Sequence, residues 1–170
     1  MYSLTEKEFK RLAKKGNLIP IFKELIADLE TPVSSFLKIS QKSDYAFLLE
    51  SVEGAEKIAR YSFLASFPRM VFKSKGRRIE ITEANQAKKT KKIENFITNQ
   101  DPLEEVKKIM RRFRFVNVKG LPRFCGGMVG FVGYDIVRFS ENLPDRNPDD
   151  LNIADIVLIL TDTLLIFDHS

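Results

Sequence analysis

The 170-residue chain contains one cysteine, one histidine and no tryptophan. A single cysteine, Cys125, excludes an internal disulfide and a multi-cysteine zinc site. A cysteine–histidine nucleophilic pair would have to join Cys125 to His169, and such a pair needs a fixed hydrogen-bond geometry. Because His169 is next to the last residue of the sequence, we favour a small buried thiol and a histidine at a strand end over a catalytic pair.

Long apolar runs are also missing from the sequence. No segment approaches the roughly 18 consecutive apolar residues of a membrane-spanning helix. The N-terminal residues MYSLTEKEFKRLAKK have a charged helical pattern without the apolar core of a signal peptide. The sequence therefore predicts a cytoplasmic protein without a membrane partner.

The chain is basic, with 28 Lys and Arg against 23 Asp and Glu and a net charge of +5. Lysines cluster at 88–92, and the segment RRFRFVNV at 111–118 superficially resembles an aromatic and basic RNA-binding strand. The apolar residues leading into this segment, however, recur at helical spacing: Leu103, Val106, Ile109, Met110 and Phe113. We therefore predict a solvated helix face and no nucleic acid partner. An RNA-binding domain stays open as a hypothesis of a different class, and strongly salt-dependent binding would reveal it.

Local patterns predict an α+β fold built around antiparallel sheets. Helices are predicted from the capping box at Thr5 to Gly16, from Thr31-Pro32 to Ser40, and from Asp101-Pro102 to Phe115. Strands are predicted at 18–25, 45–49, 61–65, 70–73, 78–82, 127–134, 154–160 and 163–168. Residues 75–77 are predicted to form a turn, and the polar residues 83–99 a flexible connection.

Four glycines, Gly126, Gly127, Gly130 and Gly133, invite comparison with a phosphate-binding loop. The block lacks both the GK[ST] ending of a P-loop and a true G-x-G-x-x-G pattern. It also lies within an apolar run that is typical of a strand. We therefore favour glycines that permit close packing of neighbouring backbone over glycines that contact a phosphate.

Three segments carry a family resemblance: LETPVSSFLKI (29–39), LLESVEGAEKIARYSFLASFPR (48–69) and GGMVGFVGYDIVRFSENLP (126–144). In order and spacing they resemble the N-terminal domain of anthranilate synthase component I, across about Pro20 to His169. The resemblance implies two sheets with helices outside them. It also implies that residues 1–170 are a regulatory domain, and that the family's C-terminal, chorismate-binding catalytic domain is absent from this chain.

For the intact enzyme, the resemblance implies conversion of chorismate and glutamine-derived ammonia into anthranilate and pyruvate, in tryptophan biosynthesis. Mg²⁺ would be bound by the missing C-terminal domain, and ammonia would come from a glutamine amidotransferase subunit, component II. No pair of carboxylates in this chain has a spacing that assigns general acid–base catalysis. We therefore expect no catalytic residue, no metal ligand and no activity in this fragment.

The most informative site candidates are Glu50 and Ser51, which follow an apolar strand. An acidic residue and a hydroxyl can bind an ammonium group through charge-assisted hydrogen bonds, although Ser51 could equally cap a turn. By resemblance, LLES is the family's tryptophan feedback motif, in which the serine contacts the inhibitor. Pro32 matches a proline that approaches the indole, besides suiting the first turn of a helix.

Two further candidates are Leu49 and Arg60. Leu49 would pack on the indole, unless it is simply a core residue of its strand. Arg60 matches a basic position of the same pocket, but it would otherwise be a surface arginine beside Glu53 or Glu56.

Two alternative functions stay open. The homologous aminodeoxychorismate synthase component I, of folate synthesis, shares the fold and chorismate chemistry, although the VEG-AEKIARYSF segment favours the anthranilate branch. The chain could instead act alone as a non-catalytic tryptophan-sensing module. The product formed by a longer chain would distinguish aminodeoxychorismate synthase from anthranilate synthase. Coding sequence that continues beyond Ser170 would argue against a stand-alone sensing module.

Overall fold

The computed structural model describes residues 2–50, 60–85, 90–144, 146 and 148–170. The chain divides into two compact units. The helical unit comprises Met1–Thr31 and Leu103–Cys125, and the sheet unit comprises Pro32–Pro102 and Gly126–Ser170. The assignment of residues 1–170 to one N-terminal domain stays a prediction.

Helix α1 (Glu6–Leu12) of the helical unit begins at the predicted capping box but ends before the predicted Gly16. The Thr5 hydroxyl accepts a hydrogen bond from the Glu8 backbone N–H at 3.3 Å. The Glu8 carboxylate accepts one in return from the Thr5 backbone N–H at 2.9 Å. These bonds from Thr5 lower the pKa of Glu8. The helix therefore starts where its first free N–H groups find acceptors, as predicted.

The strand predicted at 18–25 is wrong. Of these eight residues, all of them described, Leu18 forms an isolated parallel bridge with Phe115, and the others join no strand. The Leu18 N–H donates to the carbonyl of Arg114 at 3.1 Å, and the Val116 N–H donates to the carbonyl of Leu18 at 2.9 Å. Pro20 explains the failure, because proline has no N–H to continue a ladder.

Helix α3 (Pro102–Met110) begins where Asp101-Pro102 predicted it but ends before the predicted Phe115. Its end tightens through a hydrogen bond from the Arg112 N–H to the Ile109 carbonyl, three residues earlier, at 3.1 Å. The chain then extends so that Phe115 can bridge Leu18. Pairing with a distant segment thus ends a helix that the apolar spacing alone would have continued.

The sheet unit contains helix α2 (Pro32–Ser40), which begins and ends as predicted, and a short 3-10 helix (Tyr134–Phe139). Within the described residues its strands are β1 (Ala46–Leu49), β2 (Tyr61–Ser66), β3 (Met70–Lys75), β4 (Arg78–Asn85), β5 (Thr90–Ile97), β6 (Gly127–Val132), β7 (Ile156–Thr161) and β8 (Leu165–Asp168).

These strands form two antiparallel sheets. The three-stranded sheet has the order β1-β2-β8, and the five-stranded sheet has the order β5-β4-β3-β7-β6. Helix α2 packs against β1 and β2. The predicted turn at 75–77 connects β3 to β4, with Gly76 in the left-handed region at φ +52°. Mixed helices and antiparallel sheets confirm the predicted α+β class.

The flexible connection predicted at 83–99 is wrong. Strand β4 continues to Asn85, and β5 pairs with it from Thr90 to Ile97; the residues between these strands lie outside the described chain. The sequence of β5 is polar, and so does not indicate a strand, because this edge strand is exposed along almost its whole length. Backbone hydrogen bonds hold it, and charged side chains such as Lys91 protect its free edge from pairing with another chain.

Both sheets contribute fully buried apolar side chains to the core of the sheet unit. Phe72, Ile79 and Ile156 are fully buried in the five-stranded sheet, and Leu64 in the three-stranded sheet. Burial of each such side chain stabilises the folded state by about 1.5–3 kcal/mol relative to leaving it exposed. No helix in the described part of the chain is both long and apolar enough to cross a membrane.

At Gly130, the interpretation that a residue of the glycine block permits close packing of neighbouring backbone is confirmed. Gly130 lies in β6 opposite Leu158 of β7, and a Cβ atom at this position would collide with the carbonyl oxygen of Val157. Gly127, in the same strand, has open space where a Cβ would be. The close approach of β6 to β7 therefore depends on the absence of a side chain at residue 130.

A buried hydroxyl ties β8 to β2. Ser62, which is 1% exposed, lies 2.8 Å through its Oγ from Nε2 of His169. The His169 backbone N–H donates to the carbonyl of Arg60 at 2.9 Å, which continues the β2–β8 pairing by one residue. His169 thus follows a strand end, as predicted, and it supplies the hydrogen-bond partner that a buried hydroxyl requires.

We predict that Gly130→Ala lowers the free energy of unfolding by about 1–3 kcal/mol more than Gly127→Ala does, because the added methyl must displace the β7 backbone. Urea denaturation of the two variants measures the difference. Both changes introduce the same methyl into the same strand, so equal losses of stability would contradict a specific close approach at residue 130.

We predict that His169→Ala destabilises the chain by about 1–3 kcal/mol, because the Ser62 hydroxyl is left buried without its partner. Ser62→Ala removes that hydroxyl, so the double variant should recover most of the loss. Urea denaturation of the wild type, both single variants and the double variant gives the coupling energy. Strictly additive losses would show that the two side chains do not depend on each other.

Candidate functional site

The structure brings three of the predicted site residues to one end of the three-stranded sheet. Leu49 is the last residue of β1, Glu50 follows it, and Arg60 immediately precedes β2. Because β1 and β2 are antiparallel, the end of one lies beside the start of the other. We call this end of the sheet, together with the end of β8, the strand-end edge.

The other two predicted residues are placed differently. Pro32 is the buried first residue of α2, which packs against β1 and β2. Its role in starting the helix is therefore observed, and its predicted approach to an indole stays a prediction. Ser51 lies outside the described residues, so its predicted contact with an effector also stays a prediction.

The pairing register of β1 and β2 places an apolar surface beside Leu49, Glu50 and Arg60. Leu49 pairs with Phe63, and side chains two apart in a strand share a face, so Leu49, Phe63 and Tyr61 lie on one face of the sheet. The Tyr61 and Phe63 rings have centroids 6.1 Å apart at an interplanar angle of 40°. Both rings are half-buried and Leu49 is 42% exposed. We call these three residues the aromatic face.

Arg60 carries a second feature that the sequence did not reveal. Its Nε and Nη2 donate to Oδ1 and Oδ2 of Asp168, at 2.8 and 2.6 Å. Its guanidinium carbon also lies 4.9 Å from the centroid of the Tyr61 ring, in cation–π geometry. The partners considered from sequence, Glu53 and Glu56, lie outside the described residues.

The electrostatics of this pair follow from its geometry. The guanidinium of Arg60 holds the pKa of Asp168 well below the usual range of an aspartate. The same hydrogen bond raises the pKa of Arg60. Asp168 was missed because its partner lies 108 positions away in the chain. Four apolar residues, 164–167, precede it in the last predicted strand, and they give no sign of the pair.

Glu50 supplies a negative charge at the strand-end edge. It is exposed, and its carboxylate forms no hydrogen bond or ion pair with the described residues. A carboxylate suits an ammonium group, a guanidinium suits a carboxylate, and the aromatic face suits a flat apolar group. An α-amino acid with an aromatic side chain carries all three matching groups.

A separate cavity of about 510 Å³ lies against β3, β4 and β5. None of the four predicted site residues that the structure describes lines it. Its lysines already meet carboxylates: Lys75 Nζ lies 2.6 Å from Asp149, and Lys73 Nζ lies 3.4 Å from Glu80. Because these charges are neutralised within the chain, we favour the strand-end edge as the candidate site.

Cys125 and His169 were considered from the sequence as a nucleophilic pair. Burial raises the pKa of the Cys125 thiol, which favours the less nucleophilic protonated form. His169 meets Ser62 rather than forming the cysteine–histidine pair considered from sequence. Across the described ranges, no group of three histidine, cysteine, aspartate or glutamate residues is arranged to hold a metal ion.

Comparison with known proteins adds relatives that cover nearly the whole chain. Anthranilate synthase component 1 of Acetivibrio thermocellus is 41% identical over 169 residues, which is 99% of this chain and 33% of the relative. The protein of the same name from Aquifex aeolicus is 38% identical over 167 residues, 98% of this chain and 32% of the relative. The one from Synechocystis is 40% identical over 162 residues, 95% of this chain and 30% of the relative.

No family model matches the chain. Among solved structures, anthranilate synthase component I from Streptococcus pneumoniae aligns with a TM-score of 0.49 at 21% identity, over 87% of this chain and 29% of that chain. The family comparison therefore rests on the sequence relatives. The chain spans about a third of the length of these curated relatives. The family resemblance found in the sequence is confirmed: this chain is a homologue of the N-terminal part of anthranilate synthase component 1.

Proposed function

We propose that the chain is the N-terminal, tryptophan-binding part of an anthranilate synthase component I. The intact enzyme would convert chorismate and glutamine-derived ammonia into anthranilate and pyruvate, in tryptophan biosynthesis. The observation that carries the proposal is sequence similarity to relatives of that name over 95–99% of the chain. Because the chain spans about a third of those relatives, the proposed chemistry belongs to a longer protein.

The proposal divides the work between this chain and the rest of the enzyme. Chorismate and Mg²⁺ would bind the C-terminal catalytic domain, where Mg²⁺ would hold a carboxylate and stabilise developing charge. Component II, a glutamine amidotransferase, would supply ammonia. The described residues of this chain offer no metal cluster, so we assign to it no step that passes through Mg²⁺. Its proposed role is regulatory.

The regulatory site we propose is the strand-end edge. Glu50, with Ser51 beside it in sequence, would bind the ammonium of L-tryptophan. Arg60 would face the ligand carboxylate, and the indole would lie on the aromatic face beside Leu49. Pro32 would complete the pocket by resemblance to the family. Each proposed contact joins groups of opposite charge or of matching polarity.

Feedback inhibition through this site would act by shifting the populations of the active and inactive states of the enzyme. L-tryptophan can favour an inactive arrangement of the enzyme only through a difference in its affinity for the active and inactive states. The coupling must also be reciprocal, so chorismate binding would weaken tryptophan binding by the same factor. A substitution at the effector site should therefore relieve inhibition and leave catalysis largely unchanged.

Two other functions are less well supported. Aminodeoxychorismate synthase component I shares the chemistry, but the relatives reported above carry the anthranilate synthase name. A stand-alone tryptophan-sensing module would need a separately encoded catalytic chain. Both alternatives keep the strand-end edge as a binding site, and product identity or the length of the coding sequence separates them from the proposal.

We predict that this chain binds L-tryptophan and that Glu50→Gln weakens binding roughly tenfold or more, because it removes a charge-assisted hydrogen bond to the ammonium. Ser51→Phe should weaken binding further by filling the site. The chain contains no tryptophan, so the indole emission of the ligand reports binding directly.

Asp44→Asn is the matched control, because it removes one negative charge from the opposite end of the same strand, just before Tyr45 and β1. This variant should bind as the wild type does. Equal affinities for the wild type and Glu50→Gln would remove Glu50 from the proposed site. A wild-type chain that gives no saturable signal would contradict tryptophan binding by this chain.

We also predict that the isolated chain forms no anthranilate from chorismate, ammonia and Mg²⁺, because the proposed catalytic groups lie outside it. The fluorescence of anthranilate measures the product, and an anthranilate synthase component 1 of full length is the positive control. Turnover by the isolated chain would overturn the proposed division of labour.

A further inference from the structure

The side chain that the proposed function assigns to the ligand carboxylate already holds a carboxylate. Arg60 binds Asp168 through two parallel hydrogen bonds, from Nε at 2.8 Å and from Nη2 at 2.6 Å. This is the paired geometry that guanidinium and carboxylate groups favour. A ligand carboxylate that sought the same two donors would find them occupied.

We propose that Asp168 is an internal competitor for the effector: an α-amino acid binds at the strand-end edge by replacing the Asp168 carboxylate with its own on Arg60. This inference rests on the proposed function, since it concerns the same site. It adds a residue that determines both the affinity of the site and the class of ligand that the site accepts.

The surroundings of the pair permit such an exchange. The side chains of Arg60 and Asp168 are 46% and 42% exposed, so a ligand can reach the pair without disturbing the core. Asp168 also has partners to keep when it leaves Arg60. Its Oδ1 accepts hydrogen bonds from the Ser170 hydroxyl at 2.8 Å and from the Ser170 backbone N–H at 3.2 Å.

Protonation of Asp168 does not open the pair in the neutral range. Arg60 holds the pKa of Asp168 well below that of an ordinary aspartate, so the carboxylate stays charged as the pH falls toward mildly acidic values. A competing anion on Arg60 is therefore the means by which the pair separates under ordinary conditions. The backbone pairing of Asp168 with Tyr61 does not depend on the side chain and can persist through the exchange.

The exchange has a measurable consequence for affinity. A ligand that binds only the fraction of molecules whose Arg60 is free has its apparent affinity reduced by that fraction. If the pair is closed about 90% of the time, the reduction is about tenfold. The exchange also discriminates between ligands, because an amine without a carboxylate gains no affinity when Arg60 is free.

The test compares Asp168→Asn with the wild type in titrations of L-tryptophan and of tryptamine, which lacks the carboxylate. We expect Asp168→Asn to bind L-tryptophan roughly tenfold more tightly, because a neutral amide competes poorly for the guanidinium. Affinity for tryptamine should not change. Asp162→Asn is the matched control, since it removes the same charge from the turn that precedes β8 and should leave both affinities unchanged.

A double-variant cycle connects the effect to Arg60. Arg60→Gln should weaken L-tryptophan binding, and adding Asp168→Asn to it should bring no gain. Far-ultraviolet circular dichroism of each variant verifies that the fold is retained, and Asp168→Ala repeats the test with a different side chain.

The outcomes distinguish this inference from the function on which it rests. Wild-type binding that Asp168→Asn leaves unchanged or weakens would overturn the exchange and leave tryptophan binding intact. A parallel gain for tryptamine would also overturn it, because the effect would then be one of general charge. Absence of L-tryptophan binding by both the wild type and Asp168→Asn would overturn the proposed function and the exchange together.

Discussion

The antiparallel pairing of β2 with β8 is the contact on which the candidate site depends. It sets Tyr61 opposite Asp168, and it brings Arg60 to a carboxylate that lies 108 positions later in the chain. The entropic cost of closing so long a loop grows only slowly with its length, but local contacts must still offset it. The Ser62–His169 hydrogen bond and the Arg60–Asp168 pair do so at the end of β8.

The edge strand β5 and the strand-end edge differ in the side chains that they expose. Along β5, Lys91 and Lys92 are exposed, and such charges discourage pairing with another chain. The strand-end edge instead combines aromatic and aliphatic side chains with an acid on one side and a guanidinium on the other. Exposed apolar groups with charged neighbours are typical of binding surfaces rather than of protected edges.

Local patterns in the sequence predicted the parts of the fold that depend on neighbouring residues. The capping box at Thr5, the proline start of α2 and the glycine turn at residue 76 act within a few positions, and each lies where it was predicted. The failure at 18–25 involves a bridge to a distant segment, and the failure at β5 involves an exposed polar strand whose composition opposes the observed structure. Propensity carries no information about such partners.

The same distinction applies to the candidate site. Leu49, Glu50 and Arg60 were selected from one continuous segment, and the antiparallel register of β1 and β2 brings them together. Asp168 was not selected, because nothing near it in sequence indicates that Arg60 is its partner. The aromatic face was likewise missed. In the sequence, Tyr61 and Phe63 have the pattern of ordinary strand residues, and only the pairing of β1 with β2 shows that Leu49 lies beside Phe63.

An effector site transmits a signal only if binding changes something in the protein. If Arg60 were free and fixed in place, a ligand could occupy it and leave the sheet as it was, however tightly it bound. In the proposed exchange, displacement of Asp168 would make the bound and free states differ at the end of β8, at the expense of some affinity. An internal competitor therefore converts part of the binding free energy into a change in the protein. For a feedback site, that change matters more than the lost affinity, because inhibition depends on the difference between two states.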